Sequence, residues 1–266
     1  MNPTDILIES REGPLVILTL NDPDRANPLS PELVDALTAA LERSATEPGV
    51  RAVILTGAGR HFSAGADLAA LEAVASGGDS QANRADSERF RRLFASLLGH
   101  PRLTVAAVAG AAIAGGCGLA TACDLVVVEP RSRFAYTEVK IGFVAALVST
   151  FLTRRVAGHV ARRLLLDPVP VDGRRAVELG LADELAEPDN ALNRARELAL
   201  DVCRKAAPSA IAATKALLND TVGLDWRRAL EVAAEVNVGQ RAEPDCRRGV
   251  RAFLDTKSTP DWLEDV

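Results

Sequence analysis

Residues 52–68 read AVILTGAGRHFSAGADL, and residues 104–120 read TVAAVAGAAIAGGCGLA. Each stretch runs an apolar segment straight into glycine and alanine and then into the start of a helix. Small residues at a strand end leave main-chain N–H groups bare, for a tight turn, another segment or a ligand. A helix start adds unpaired N–H groups and a partial positive charge. Two such loops converging on one point would make an oxyanion hole, which stabilises negative charge developing on a carbonyl oxygen. Either loop alone reads equally well as a turn. Their repetition favours a site.

Working outward, "DILIES" and "PLVILTL" form a strand pair separated by "REG", and "NDPDRANPLS" (21–30) is turn chemistry. Ser30 and Pro31 make an N-cap and first helical residue, with Val34, Leu37 and Leu41 at helical spacing behind them. "AVILT" (52–56), "TVAAVAG" (104–110) and "LVVVE" (125–129) are buried strands, and "ADLAALEAVA" (66–75) is a helix. Residues 76–87, "SGGDSQANRADS", lack periodicity and predict a mobile surface loop. Leu93, Phe94, Leu97 and Leu98 mark the next helix, and "FVAALVSTFLTRRVAG" (143–158) predicts one that ends at its glycine. Beyond residue 158 the pattern is helical, with "DELA" (183–186) the one strand. The class is α/β with a parallel element. The helical tail is free to pack on the core or on another subunit.

The 266 residues suffice for one large domain or a core with a small appendage. With 48% apolar and 25% charged residues the composition is globular. A net charge of −5 argues against a nucleic-acid partner, which needs a basic face. Cys117, Cys123, Cys203 and Cys246 show no metal-ligand or disulfide spacing, so no metal is expected. The first ten residues lack the basic and apolar regions of a secretion signal. Residues 103–123 are uncharged, but alanine, glycine and a Gly-Gly pair make them a poor membrane helix. A cytoplasmic protein without a membrane partner is expected.

Familiar chemistries are absent. The glycines of "GAGRHF" (57–62) follow a strand, but Phe62 stands where a dinucleotide fingerprint needs glycine or alanine. No P-loop lysine follows any of these glycines, "FSAG" is not a nucleophile elbow, and no HExxH occurs. His61, His100 and His159 read as surface or structural residues.

Together, "HFSAGADL" (61–68), "AGAAIAGGCGLATACDL" (109–125) and "FAYTEVKIG" (134–142) resemble the enoyl-CoA hydratase/isomerase (crotonase) superfamily. The likeness runs from "NDPDRANPLS" to the closing "GVRAFLDTKSTPDW" (249–262). It implies a crotonase-like spiral of ββα turns over residues 1–195, carrying an acyl-CoA site, and a helical C-terminal oligomerisation region over 196–266, giving a homotrimer or hexamer. By motif position, the backbone N–H groups of Ala66 and Gly115 would hold the thioester carbonyl. Ala64, Asp67 and Leu68 would line the CoA-binding turn, and Arg25 and Ala26 would meet its nucleotide half. Phe253 and Lys257 resemble tail residues that contact CoA from another chain. No cofactor is implied, since coenzyme A is part of the substrate.

Well-known hydratases of the superfamily use two glutamates. The second is present here as Glu138; three residues after Gly115, where the first would stand, is Gly118. A glutamate among apolar neighbours has a raised pKa, suited to proton exchange near neutrality. The resemblance therefore implies hydration of a 2-enoyl-CoA by a single glutamate, in fatty-acid or branched-chain catabolism. "TEVKIGFVAALVSTFLTRR" (137–155) is similar to bacterial hydratases of branched or glutaconyl-type substrates, where glycine also occurs at the first position. The alternatives are a Δ3,Δ2-enoyl-CoA isomerase with Glu138 as proton shuttle, or a catalytically silent acyl-CoA binder. Asp67 or Tyr136 are candidates to replace the missing acid. Residues 76–87 are expected to order over the acyl chain.

Overall fold

The structure is a computed structural model and describes residues 6–264. Asp5, the first residue of the expected opening strand, lies outside them. Six strands form the main sheet: β1 (Leu7–Glu12), β2 (Leu15–Leu20), β4 (Ala52–Gly57), β6 (Leu103–Val108), β8 (Leu125–Val128) and β11 (Glu184–Leu185). They lie side by side in that order; β1 is antiparallel to β2 and every later pair is parallel. The central strands read as nearly continuous apolar runs because both faces are covered. Val16, Leu18, Val53, Leu55, Ala106 and Val108 point into one apolar cluster. Their alternates Leu15, Ile17, Ala52, Ile54, Val105 and Ala107 point into another, as the two-residue period of a strand requires.

Short strands stacked beside the main sheet complete the spiral. β3 (Pro28–Leu29) pairs with β5 (Gly65–Ala66), and β7 (Ala111–Ile113) and β10 (Val171–Asp172) flank β9 (Arg133–Ala135). β4, β5 and helix α2 (Leu68–Ser76) make one ββα turn; β6, β7 and α4 (Gly115–Thr121) make the next. The ββα spiral implied by the motifs is what the chain adopts. α1 (Pro31–Thr46) starts as expected, with the Ser30 hydroxyl accepting from Leu33 N–H.

Residues 76–87 depart from expectation. Only the stretch after Ser76 up to Asp79 is irregular; Asp79 then caps α3 (Ser80–Leu98) by accepting from Gln81 N–H at 2.8 Å. Apolar periodicity is missing there because the first two turns of α3 meet no core. Ion pairs on the helix, Glu88 with Arg91 and Asp86 with Arg89, support it instead, and Arg89 reaches Asp35 of α1. The helix expected over 143–158 is shorter: α5 (Ala146–Arg155) ends at its cap Val156, and Gly158 opens α6 (Gly158–Leu166) instead of closing α5.

After α7 (Gly173–Glu178), α8 (Ala191–Lys205) presents Ala191, Ala195, Ala199 and Cys203, one per turn, to the second cluster. These small residues let the helix lie close on the sheet. α9 (Pro208–Asp220), α10 (Trp226–Ala242) and α11 (Pro244–Thr256) bury no residue fully. A polar joint docks α9: Lys215 Nζ donates to Asp124 Oδ2 (2.6 Å) and Arg102 O (2.7 Å), while Asp124 Oδ2 also accepts from Thr104 N–H and hydroxyl. His100 is buried and bonded to Ser44, a structural role. All four cysteines are free thiols. Among the described residues no helix is long and apolar enough to cross a membrane.

Candidate active site

The first glycine loop is held in place by Asn27. Its side-chain amide donates to the carbonyls of Ala58 (2.9 Å) and His61 (2.8 Å), and its Oδ1 accepts from Asp22 N–H. Its own carbonyl accepts from the Ser63 hydroxyl, which in turn accepts from Gly65 N–H. Ala64 N–H is tied to Ala26 O at 2.8 Å. Asn27 has φ of +54°, a conformation asparagine tolerates better than most residues. Nothing in the apolar pattern marks Asn27 or Ser63; the only hint is an asparagine inside turn chemistry.

The second loop leans on the first. Phe62 and Ser63 N–H donate to Ala111 O, Ile113 N–H donates to Ser63 O, and Ala114 N–H donates to Ala135 O. Ala114 sits at φ +48°, ψ −119°, a strained reversal for a residue with a Cβ, and sends the chain into α4 at Gly115. Glycine is required at residue 65, where the loops touch. A Cβ on Gly65 (φ +86°) would lie 2.5 Å from Ile113 O and 3.1 Å from Gly115 N. One on Gly115 would lie 3.6 Å from Ala66 N. The two amide-bearing segments are thus in direct contact, although 49 positions separate Ala66 from Gly115.

Both border a cavity of about 390 Å3. Its walls come from Ala64, Ala66 and Leu68 on the first loop, and Ile113 to Gly115 on the second. Asp86, Ser87, Phe90 and Phe94 of α3 and Leu147 and Val148 of α5 close it. Of residues 76–87, the segment expected to order over a ligand, Asp86 and Ser87 on α3 border the cavity. Glu138, on a 3-10 turn (Glu138–Ile141), faces the same cavity. It is only 9% exposed, and its Oε2 is buried without a hydrogen-bond partner. Burial pushes its carboxyl pKa upward, against a smaller opposing pull from the Glu138 and Thr137 N–H groups. Ala66 and Gly115 of the two loops and the Glu138 carboxyl thus share one cavity.

A sequence profile described as enoyl-CoA hydratase/isomerase matches residues 10–265. The chain belongs to the enoyl-CoA hydratase/isomerase family. A Thermus thermophilus protein provisionally named enoyl-CoA hydratase is 46% identical over 251 residues, 94% of this chain and 98% of its own. The 2,3-dehydroadipyl-CoA hydratase of Escherichia coli is 32% identical over 96% of this chain and 98% of its own. An enoyl-CoA hydratase crystal structure from Mycobacterium smegmatis superposes with a TM-score of 0.89, at 28% identity over 97% of this chain and 99% of that one.

Against the family pattern, the structure brings Ala64, Ala66, Leu68, Gly115 and Glu138 to one cavity. Arg25 and Ala26 sit on the turn beneath the first loop. The Arg25 guanidinium is 2.6 Å from Asp67 Oδ2, and this bond holds the Asp67 carboxyl below the usual carboxylate range. Asp67 also caps α2, accepting from Ala69 N–H. Phe253 and Lys257 are exposed at the end of α11 and do not line the cavity. Tyr136 is fully buried near the Thr121 hydroxyl. Neither Tyr136 nor Asp67 lines the cavity; the carboxyl that borders it besides Glu138 is Asp86.

Proposed function

We propose that this chain hydrates a 2-enoyl-CoA, with Glu138 as the only side-chain acid and base. The observation that carries this reading is the buried, unpartnered Glu138 carboxylate oxygen in the cavity that Ala66 and Gly115 border. The N–H groups of Ala66 and Gly115 bind the thioester oxygen and draw electron density from C3. Water adds to C3 as Glu138 takes its proton. The C2=C3 electron pair moves toward the carbonyl, and the same carboxyl returns a proton to C2. The carboxylate is regenerated, and no separate cofactor enters the balance. Arg25, Ala26, Ala64, Asp67 and Leu68 take the CoA portion, with Phe253 and Lys257 supplied by a neighbouring chain.

One observation favours a second reading, the Δ3,Δ2-isomerase: the wall at Gly118 is apolar, with Val148 and Phe94 packed there. Product analysis in heavy-oxygen water separates the two. Hydration puts one heavy oxygen into the 3-hydroxyacyl product. A shifted double bond without label means isomerisation, and tight binding without any product means a silent binder.

The tail supports assembly as a homotrimer or hexamer. Leu218, Val222, Leu224, Trp226, Leu230 and Phe253 are all exposed on or between α9, α10 and α11, more apolar surface than an isolated helical tail keeps in water. Light scattering after gel filtration is expected to give three or six times 28.1 kDa; a monomer would overturn the assembly reading.

A further inference from the structure

The place of a side chain at residue 118 is occupied. A Cβ on Gly118 would lie 2.5 Å from Val148 Cγ2 and 3.2 Å from Phe94 Cζ. Val148 comes from α5 and Phe94 from α3; both are nearly fully buried, and both border the cavity. Phe94 is itself braced by Phe151, with ring centroids 5.2 Å apart. Gly118 lies one turn beyond Gly115 on α4, about 4.5 Å along the axis. That is the reach of two or three carbon–carbon bonds. A thioester oxygen held at Gly115 N–H therefore puts its neighbouring acyl carbons beside the Val148–Phe94 wall.

We infer that Val148, backed by Phe94, sets how much apolar bulk the enzyme accepts next to the thioester, and that it does so in the volume a residue-118 side chain would need. This rests on the proposed acyl-CoA chemistry for its orientation. The absent acid is thus one side of an exchange: with glycine at 118, an isopropyl group and a ring edge face the acyl chain. Leu71, Phe90 and Leu147 extend the apolar part of the lining, which also carries Asp86, Ser87 and Lys140. The substrate class this favours is apolar enoyl groups, branched near C3 or extended past C4, over acyl groups with a polar end close to the thioester.

The test pairs binding with turnover. Dissociation constants of butyryl-, 3-methylbutyryl- and octanoyl-CoA, measured by calorimetry, do not depend on which reaction follows. Wild type is expected to bind tighter by up to about fourfold for each methylene added within the cavity. Val148→Ala is expected to shift the 3-methylbutyryl/butyryl affinity ratio about tenfold toward the branched thioester, and Val148→Phe to shift it the opposite way. The kcat/KM ratio for the matching enoyl thioesters should move in parallel. Gly118→Glu alone is expected to lose activity and stability, and Gly118→Glu/Val148→Ala to regain part of both, a non-additive pair. Affinity ratios unchanged in both Val148 variants, or a Gly118→Glu protein as stable and active as wild type, overturn the inference. Absence of turnover on every thioester, with the affinity ratios shifting as described, would instead overturn the proposed reaction and leave the inference standing.

Discussion

Glu138→Gln is expected to lower kcat by roughly 10²–10⁴-fold while leaving acyl-CoA affinity within about threefold of wild type. The amide keeps the shape of the carboxyl but cannot carry a proton, so only the chemical step is lost. The same burial that raises the pKa of Glu138 gives two pH signatures. Turnover in the wild type requires the ionised carboxylate, so activity should fall on the acid side with an apparent pKa above the ordinary value of about 4.3. Stability moves the other way. A carboxyl whose folded-state pKa is raised carries no ionisation penalty at pH values below its unfolded pKa. The penalty grows as pH rises through the raised value, because the unfolded chain ionises more readily. Glu138→Gln should therefore gain melting temperature relative to wild type between pH 4 and pH 8. A kcat within tenfold of wild type, with normal folding, would remove Glu138 from the chemistry.

Gly65→Ala should be nearly as damaging, although it adds only a methyl group. Its φ of +86° penalises a Cβ, and that Cβ would meet Ile113 O at 2.5 Å. Either β7 moves away or the first loop does, and the Ala66 and Gly115 amides separate. Losing one well-aimed oxyanion donor costs about 10²–10³ in rate, so kcat/KM is expected to fall in that range. The accompanying stability loss is about 2–3 kcal/mol, or roughly 4–12 °C in melting temperature for a chain of this size. Gly13→Ala is the matched control. Gly13 also has positive φ (+56°) but nothing lies within 4 Å of an added Cβ, so it should lose a little stability and no activity. Equal losses of activity in the two variants would show that backbone strain, and not the contact between the loops, is responsible.

The strands that build the sheet were readable in the chain itself. β2, β4 and β6 are apolar but for one threonine each because each is covered on both faces, and a pattern that depends only on burial survives in one dimension. The glycines at 65 and 115 and the alanines around them announced bare backbone, and at Gly65 the approach of Ile113 O leaves no room for a side chain. Glu138 and the loop residues stand out only through the family resemblance of the short, contiguous motifs that hold them. The first half of α3 was not, since a helix held by Asp86–Arg89 and Glu88–Arg91 pairs has no apolar stripe to reveal it. Asn27 stayed hidden because its three acceptors, Ala58, His61 and Phe62, lie more than 30 residues downstream.

Local chemistry thus decided which segments are strands and where the backbone is laid open, because each depends on neighbours within a few residues. Folding in three dimensions decided the rest. Packing places the Gly115 amide against the Ala66 loop, leaves one Glu138 oxygen without a partner, and puts Val148 over Gly118 from 30 residues away. Close packing joins residues by volume, and volume shared between distant segments leaves no periodicity in either of them.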